Sequence, residues 1–360
     1  MVNPPTQGSQ SSEWDEHIGT SRLSAWLQAQ GFGAAPITDI TRLAGGTQNI
    51  LFAFTHGERR LVLRRPPAIP VATHNETMRR EARVLAALAT SEVPHPRLIA
   101  ACPDESVLGV AFYLMQAIDG FNPTVVLPEP HRSSPALRHA MGMALVDGIA
   151  ALGRIDYVAV GLSDFGKADN YLARQVDRWR RQLASYEKYD GWPGPAALPD
   201  VERIARFLDA HRPQSFLPGI IHGDYHLANV MFTHDGPQLA AIVDWELSTI
   251  GDPLLDLGWV LATWKGDDGN ELDGLVVEPW HGFPTAAELV ARYATGSTRD
   301  VSAIDWYTVL ACYKLAIIIE GTHARACAGD APVATGERLH RHAVHLLQRA
   351  LLRIDRKSVV

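Results

Sequence analysis

Cysteine is scarce in this chain of 360 residues, which contains only Cys102, Cys312 and Cys327. Their number is odd, and no two of them have the C-x-x-C spacing typical of metal or redox sites. Secreted domains are often stapled by disulfides, so this cysteine usage favours a reducing, cytoplasmic compartment. We expect the three thiols to be packing residues.

Long hydrophobic runs are also missing, since none approaches the ~18 apolar residues of a membrane-spanning helix. The first residues, MVNPPTQGSQSS, have neither a basic start nor an apolar core, so we predict no signal peptide. We expect no membrane association and a disordered lead-in over residues 1–20.

Positive charge is not in excess, because the chain has 33 Lys and Arg residues and 40 Asp and Glu residues, which give a net charge of −7. A nucleic-acid-binding protein needs a basic surface, so we predict no nucleic-acid partner. The 46% hydrophobic content supports sizeable cores, and the length is compatible with two domains. Oligomeric state is not readable from the sequence.

The most informative segment runs from residue 222 to residue 244 and contains Asp224, Asn229 and Asp244. Short strands are predicted at residues 230–232 and 239–243, joined by a turn that includes Gly236 and Pro237. Pairing about that turn would place position 229 opposite position 244, with Asp224 on the loop that enters the same end. Two carboxylates and an amide suit Mg²⁺. The alternative is an ordinary hairpin with solvated acids.

The motif H-G-D-x-x-x-x-N followed by I-V-D-W-E resembles the catalytic loop and metal-binding acid of kinase-like phosphotransferases. Gly223 and Trp245 stand where protein kinases carry Arg and Phe, and they are similar to the aminoglycoside phosphotransferase and choline kinase branch. The resemblance implies a bilobal, protein-kinase-like α+β fold, with ATP and Mg²⁺ as cofactors. It implies Asp224 as the catalytic base, and Asn229 and Asp244 as metal ligands. The missing Arg implies a constitutively formed site.

A kinase-like fold also requires a glycine-bearing turn over the nucleotide phosphates. The stretch A-G-G-T-Q-N lies between predicted strands at residues 37–43 and 50–54. Backbone N–H groups at such glycines can cradle phosphate oxygens. We therefore assign Gly45, Gly46, Thr47 and Asn49 to nucleotide binding. A plain hairpin turn is an equally common interpretation of this pattern.

A buried ion pair is predicted between Arg64, at the end of a strand, and Glu81, on the following helix at about residues 73–90. Glu81 shares a helix face with apolar residues, and a carboxylate there requires a partner. Thr73 and Glu76 fit a capping box. The alternative is that Glu81 reaches solvent at the edge of the apolar face. The pair resembles that of the family, with Arg in place of Lys.

Two lobes follow from these patterns, a nucleotide-binding lobe at residues 21–118 and a catalytic and substrate lobe at 119–355. The first should contain a five-stranded sheet and one helix. It ends in a connection that resembles the adenine-binding segment, which implies roles for Gln116 and Ile118. The second lobe should be mainly helical, with predicted helices at 137–152, 168–189, 198–211, 254–264, 285–294, 304–326 and 339–354.

Downstream residues add support to the site. We expect Asp256, in G-D-P-L-L-D-L-G-W, to brace the catalytic loop, and His222 to orient the loop backbone. The histidines at 340, 342 and 345 have no i, i+4 pair, so we interpret them as solvated surface residues.

The acceptor is the least determined feature. The segments L-A-G-G-T-Q-N, V-L-R-R-P-P and V-D-W-E-L-S-T-I-G-D-P look most like the phosphotransferase domains found alone or joined to acyl-CoA dehydrogenases, in which Arg is typical at the position of Arg64. That likeness implies a hydroxyacyl substrate, for instance a CoA thioester.

The first alternative is an aminoglycoside or amino alcohol, for which a loop at residues 267–278 offers carboxylates: Asp267, Asp268, Glu271, Asp273 and Glu278. The second is a catalytically weak nucleotide-binding protein.

Overall fold

A computed structural model describes residues 14–43, 49–67, 72–265 and 275–358. The chain divides into two compact units, Met1–Asp119 and Gly120–Val360. Within the described residues, no helix is long and apolar enough to cross a membrane.

The first unit contains the predicted five-stranded sheet, which is antiparallel and has the strand order β1-β2-β3-β5-β4. Its strands are β1 Ile37–Arg42, β2 Ile50–His56, β3 Arg59–Arg65, β4 Leu98–Cys102 and β5 Phe112–Gln116. Strands β2 and β3 form a tight hairpin because Gly57, with φ of 62°, adopts the left-handed backbone that such a turn requires. Register along β3 and β5 places Arg64 opposite Tyr113.

Two helices of the first unit are α1, Thr20–Ala29, and α2, Ala72–Leu88. On α2, Met78, Ala82, Leu85 and Leu88 are all buried, which confirms the apolar face predicted for this helix. The capping-box prediction was wrong, because the helix already includes Ala72 and the Thr77 hydroxyl donates to the Thr73 carbonyl. Thr73 therefore lies inside the first turn.

The segment before α1 joins the core of the first unit. Trp14 is 1% exposed, and its ring centroid lies 5.3 Å from that of Phe52 and 5.6 Å from that of Phe54. Its indole Nε1–H donates to the Thr20 hydroxyl at 2.9 Å, so the polar end of the buried ring is satisfied. From Trp14 onward, the chain therefore contradicts the prediction of a disordered lead-in over residues 1–20.

The second unit is mainly helical. Its helices are α3 Pro135–Gly153, α4 Gln175–Ala184, α5 Val201–Ala210, α6 Leu254–Thr263, α7 Ala286–Gly296, α8 Ile304–Cys327 and α9 Val333–Ser358. Helix α8 packs along both α9 and α6. The helix predicted at 168–189 is shorter than expected, because Leu172–Arg174 and Ser185–Lys188 on either side of α4 adopt 3₁₀ turns.

Two small antiparallel sheets complete the second unit. Strand β6, Gly219–Ile221, pairs with β9, Thr249–Gly251, a pairing that the sequence did not indicate. Strands β7, Val230–Phe232, and β8, Leu239–Ile242, form the predicted hairpin. The register of this hairpin, with Val230 opposite Ile242, places the backbone carbonyl of Asn229 as acceptor for the N–H of Val243, not of Asp244. A bulge lies between Met231 and Phe232.

Candidate active site

The loop that follows β6 is held by a buried carboxylate. Asp256, in the first turn of α6, accepts the backbone N–H of His222 at 2.7 Å and that of Gly223 at 2.9 Å. Burial raises the pKa of Asp256, although the nearby His222 and the two N–H donors oppose this shift. The predicted bracing role of Asp256 is therefore seen in the structure. Its neighbour Asp252 accepts the Tyr307 hydroxyl at 2.5 Å.

His222 connects the loop to the end of β8. The buried imidazole donates from Nε2 to the carbonyl of Val243 at 2.9 Å and accepts the Asp224 N–H at Nδ1, at 3.3 Å. Each ring nitrogen thus has one backbone partner, which fixes the orientation of the ring. The imidazole orients the backbone on both sides of the site, as the sequence predicted.

Gly223 has no space for a side chain. Its φ is 87°, and a Cβ atom there would lie 2.6 Å from the carbonyl oxygen of Leu247. Both the left-handed backbone and the close approach require glycine. The absence of an arginine at this position therefore has a structural cause.

Asp224 has a partly exposed carboxylate with several hydrogen-bond partners. Its Oδ2 accepts Nδ2 of Asn229 at 3.0 Å, and its Oδ1 accepts Nε1 of Trp259 at 3.0 Å. Nε2 of His226 lies 3.2 Å from Oδ1, and the carboxylate side chain remains 30% exposed. Burial works to raise the pKa of Asp224, but the hydrogen bond and charge of His226, with His222 and Lys314, lower it well below its ordinary range. The group is ionised at neutral pH.

Asn229 lies at the end of a 3₁₀ turn, Leu227–Asn229, and is buried. Its Nδ2 donates to both the carboxylate and the backbone carbonyl of Asp224, at 3.0 and 2.9 Å. The amide orientation is fixed by these two bonds, which leaves Oδ1 as the atom suited to a hard cation. Asn122 reinforces the turn by donating to the carbonyls of Ala228 and Val230.

Asp244 follows β8 and has a left-handed backbone, with φ of 68° and ψ of 64°. Such a conformation is uncommon for a residue with a side chain, and it recurs at functional sites. The hydrogen bond between Val243 and Asn229 places Asp244 one residue beyond the paired end of the hairpin. The structure therefore brings Asp224 and Asn229 into contact and places Asp244 at the same end of the hairpin.

Lys314 is a site residue that the sequence analysis missed. It lies on α8, where Nζ donates to the Gly223 carbonyl at 3.1 Å and lies 4.4 Å from the ring centroid of Trp259. Burial lowers the pKa of Lys314 to about 8, although the carboxylates of Asp224 and Asp256 oppose the shift. The available signal was a lone lysine within the apolar run A-C-Y-K-L-A-I-I-I.

In the first unit, Arg64 and Glu81 form the predicted ion pair. Nε of Arg64 lies 2.9 Å from Oε2 of Glu81, and Nη2 donates to Oε1 at 3.3 Å. The Tyr113 hydroxyl also donates to Oε2 at 2.7 Å. Glu81 is 1% exposed, so it does not reach solvent at the helix edge as the alternative required.

The remaining predicted residues are only partly described. Asn49 directly precedes β2, Gln116 is exposed at the end of β5, and Ile118 is half-buried. The Gln116 N–H donates to the carbonyl of Arg97 at 2.9 Å. Of the other predicted residues, Gly45, Gly46, Thr47, Asp267, Asp268, Glu271 and Asp273 lie outside the described residues.

The chain matches known phosphotransferases. Residues 39–291 match the phosphotransferase enzyme family, well over half of the chain. A crystal structure assigned as an aminoglycoside phosphotransferase of Ralstonia eutropha is 31% identical with a TM-score of 0.75, and the match covers 92% of this chain and 98% of that one. A thermostable mutant of aminoglycoside phosphotransferase APH(4)-Ia, in ternary complex with AMP-PNP and hygromycin B, is 12% identical with a TM-score of 0.53, over 90% and 98% of the two chains. At that identity the likeness shows the fold alone.

A longer relative is also similar. Acyl-CoA dehydrogenase family member 11 of Pongo abelii is 30% identical over 319 residues, which cover 86% of this chain and 39% of that protein. The chain spans less than half the length of the curated relatives it matches. The family match and the Ralstonia structure together show that the chain belongs to the phosphotransferase enzyme family, with a kinase-like α+β fold, and is a small-molecule kinase.

Proposed function

We propose that the chain transfers the γ-phosphoryl group of ATP to a hydroxyl group of a small molecule, with Asp224 as the general base. The observation that carries this proposal is the Asp224 carboxylate, which is oriented by Asn229, Trp259 and His226, kept ionised, and still partly exposed. A positioned carboxylate of this kind can accept the proton of an attacking hydroxyl.

The metal ligands in this proposal are Asn229 Oδ1 and the carboxylate of Asp244, and the ion is Mg²⁺. Their hard oxygen atoms suit an ion that takes a few protein ligands together with substrate phosphates. Bound Mg²⁺ would neutralise charge on the phosphates of ATP. The Asn229 amide is already held by Asp224, so its oxygen requires little reorganisation.

The proposed nucleotide contacts lie in the first unit. Arg64, held by Glu81, would direct its charge to the phosphates, and Gly45, Gly46, Thr47 and Asn49 would contribute to the phosphate-binding turn. Gln116 and Ile118 would contact the adenine edge. An arginine can perform the first role because its planar group offers several donors, so that one ion pair does not exhaust them. The AMP-PNP bound to the APH(4)-Ia neighbour supports ATP as the nucleotide.

The proposed acceptor is an anionic hydroxylated molecule of the hydroxyacyl-CoA type. Lys314 places an ammonium group beside the loop of the proposed base, where Nζ donates to the Gly223 carbonyl. A positive charge at this point favours an anionic acceptor over a cationic one. The acyl-CoA dehydrogenase names of the longer relatives agree with this choice. The second candidate is an aminoglycoside, as in the name of the Ralstonia structure.

The base assignment is tested by Asp224→Asn. We expect a loss of turnover of about 10²- to 10⁴-fold, because general acid–base catalysis typically contributes that much. The affinity for ATP, measured by calorimetry, should change little. The control is Asp235→Asn, which alters an exposed acid on the β7–β8 turn. Equal turnover in the two variants would contradict the assignment.

The acceptor class is tested by measuring ATP consumption with three panels, namely hydroxyacyl-CoAs, aminoglycosides and small amino alcohols. We expect acceptor-dependent turnover with the first panel. Turnover confined to the second or third panel would overturn the assignment of an anionic acceptor, but it would be consistent with Asp224 as the general base. ATP binding without turnover in any panel would favour a catalytically weak nucleotide-binding protein.

A further inference from the structure

A cluster of metal-ligating side chains lies in the second unit, outside the candidate active site. It consists of Glu320 and His323 on α8 and His340 on α9. Nδ1 of His323 lies 2.8 Å from one oxygen of Glu320, and Nδ1 of His340 lies 2.8 Å from the other. One ligand atom from each residue lies within 4.8 Å of the other two.

The carboxylate at the centre of the cluster is completely buried. Glu320 is 0% exposed, whereas the His323 and His340 side chains are 14% and 24% exposed. The indole Nε1–H of Trp192 donates to Oε1 of Glu320 at 2.8 Å. Trp192 is itself positioned by an edge contact with Tyr186, at a centroid distance of 5.9 Å. A buried carboxylate is costly unless it has partners of this kind.

The two helices approach closely at this point because α9 has a glycine facing α8. A Cβ atom on Gly336 would lie 2.4 Å from Cβ of Ala326, and 3.3 Å from Cα of His323. His340 is four residues after Gly336 and therefore on the same face of α9. The close approach at Gly336 thus brings the His340 imidazole to the Glu320 carboxylate.

We propose that Glu320, His323 and His340 bind a divalent transition-metal ion, with Zn²⁺ as the best fit. A Glu-x-x-His pair on one helix, completed by a residue from a neighbouring helix, is a donor arrangement used for metals inside helical bundles. Two imidazole nitrogens and one carboxylate oxygen suit zinc, while Mg²⁺ prefers oxygen ligands alone. This site is therefore chemically distinct from the proposed magnesium site.

Binding needs only a small change in the cluster. Each imidazole would bind as the neutral tautomer with its proton on Nε2, reached by exchange with solvent, and direct the Nδ1 lone pair at the ion. Around a tetrahedral Zn²⁺ the ligand atoms lie about 3.3 Å apart, so the 2.8 Å contact between His340 Nδ1 and Glu320 Oε2 would widen by about 0.5 Å. The partial exposure of both imidazoles allows that movement and gives the ion a path from solvent.

Residues around the cluster can orient the ligands. Trp192 fixes one oxygen of Glu320, which leaves the other for the ion. Nε2 of His323 lies 3.5 Å from the Cys327 sulfur, which can accept a weak hydrogen bond from Nε2–H when Nδ1 binds metal. Groups that hold metal ligands in place in this way are a regular part of protein metal sites.

The test is calorimetric titration of the chelator-treated, folded protein with Zn²⁺ in the presence of excess Mg²⁺. We expect one saturable site, and with Co²⁺ a visible d–d absorption band. His340→Gln alters a partly exposed ligand and should weaken binding at least tenfold, the loss typical of even a supporting residue. The matched control is His139→Gln, an exposed histidine on α3, which should bind as the wild type does.

Two results would overturn the proposal. The first is the absence of saturable Zn²⁺ binding to the wild-type protein, which would mean that the cluster serves only as a hydrogen-bond network around Glu320. The second is equal zinc affinity in the wild type and in His340→Gln. Glu320→Gln provides an independent variant, whose fold is checked by circular dichroism before titration. Because no catalytic residue is altered, neither result affects the proposed phosphotransfer.

Discussion

At the scale of single residues, the catalytic loop depends on a glycine and a lysine that contact each other. Gly223 faces the Leu247 carbonyl, and its own carbonyl accepts the ammonium of Lys314. The glycine determines the path of the backbone, and the lysine adds positive charge beside Asp224. Both residues can be tested by substitution without changing a proposed metal ligand.

We predict that Gly223→Ala destabilises the second unit and reduces turnover. Placing an alanine in the left-handed backbone conformation of Gly223 costs roughly 1–2 kcal/mol of folding free energy. Displacing the Leu247 carbonyl, 2.6 Å from the added Cβ, should add roughly 1–3 kcal/mol. Urea denaturation measures the loss. The control is Gly161→Ala, since Gly161 has φ of 77° but no atom within 4 Å of an added Cβ. If both variants lose the same stability, the Leu247 contact has no effect.

We predict that Lys314→Met lowers kcat/KM for anionic acceptors by roughly tenfold or more. A hydrogen bond from a charged group is typically worth about 1.5–3 kcal/mol, and the ammonium is bonded to the loop that carries the proposed base. Neutral alcohols should be affected less, so the ratio between the two classes is the diagnostic measurement. Lys167→Met, at an exposed position, is the control. An equal loss for both classes would mean that Lys314 only supports the loop.

At the scale of secondary-structure elements, α7 begins with a reciprocal cap. Glu288 accepts the Thr285 N–H at 2.8 Å, and the Thr285 hydroxyl accepts the Glu288 N–H at 3.3 Å. The hydrogen bonds from the Thr285 backbone and side chain lower the pKa of Glu288 to about 2, with a further contribution from His139. The cap is therefore strongest when the carboxylate is ionised.

We predict a pH dependence that Glu288→Gln removes. Because folding lowers the pKa of Glu288 from its ordinary value of 4.5 to about 2, its charge stabilises the folded state above pH 4.5. That contribution is lost as the pH falls from 4.5 towards 2. The stability difference between the wild type and Glu288→Gln, from urea denaturation at several pH values, should decline over that window. A difference independent of pH would contradict the assignment.

The elements that the sequence predicted well are those with local patterns. The apolar periodicity of α2 and the alternation of the strands in the first unit depend on neighbouring residues, so they can be recognised without tertiary contacts. The pairing of β6 with β9 joins residues about thirty positions apart, and no local pattern encodes it. The predicted hairpin register was wrong by one residue, because it assumed a turn centred on Gly236 and Pro237, whereas Val230 pairs with Ile242 and Phe232 with Leu239.

The candidate site shows the same division. The H-G-D-x-x-x-x-N and I-V-D-W-E motifs identified Asp224, Asn229 and Asp244. Lys314 lies on α8, about ninety positions later, and contacts the loop only through tertiary packing. The histidines of α9 were interpreted wrongly for the same reason. His342 is 7% exposed and His340 bonds to Glu320, so neither is a solvated surface residue.

At the scale of the whole molecule, ligand binding should increase the free energy of unfolding. A ligand present at about 100 times its Kd adds about 2.7 kcal/mol to the free energy of unfolding. We predict that ATP with Mg²⁺ raises the thermal midpoint more than ATP with a chelator does. Asp244→Ala should remove the difference between these two conditions, because it deletes a proposed metal ligand.

The control for this measurement is Asp235→Ala, at an exposed acid on the same hairpin, which should keep the magnesium-dependent shift. Two outcomes would count against the metal assignment. One is an Asp244→Ala protein whose midpoint still depends on magnesium. The other is a wild-type protein that responds equally to ATP with and without the ion.

The filled space at Gly223 also limits how this kinase can be regulated. With the Leu247 carbonyl 2.6 Å from where a first side-chain atom would stand, no single substitution can introduce an arginine there without rebuilding the following segment. A phosphorylated loop that acts through an arginine at position 223 would therefore require a different backbone path for this segment.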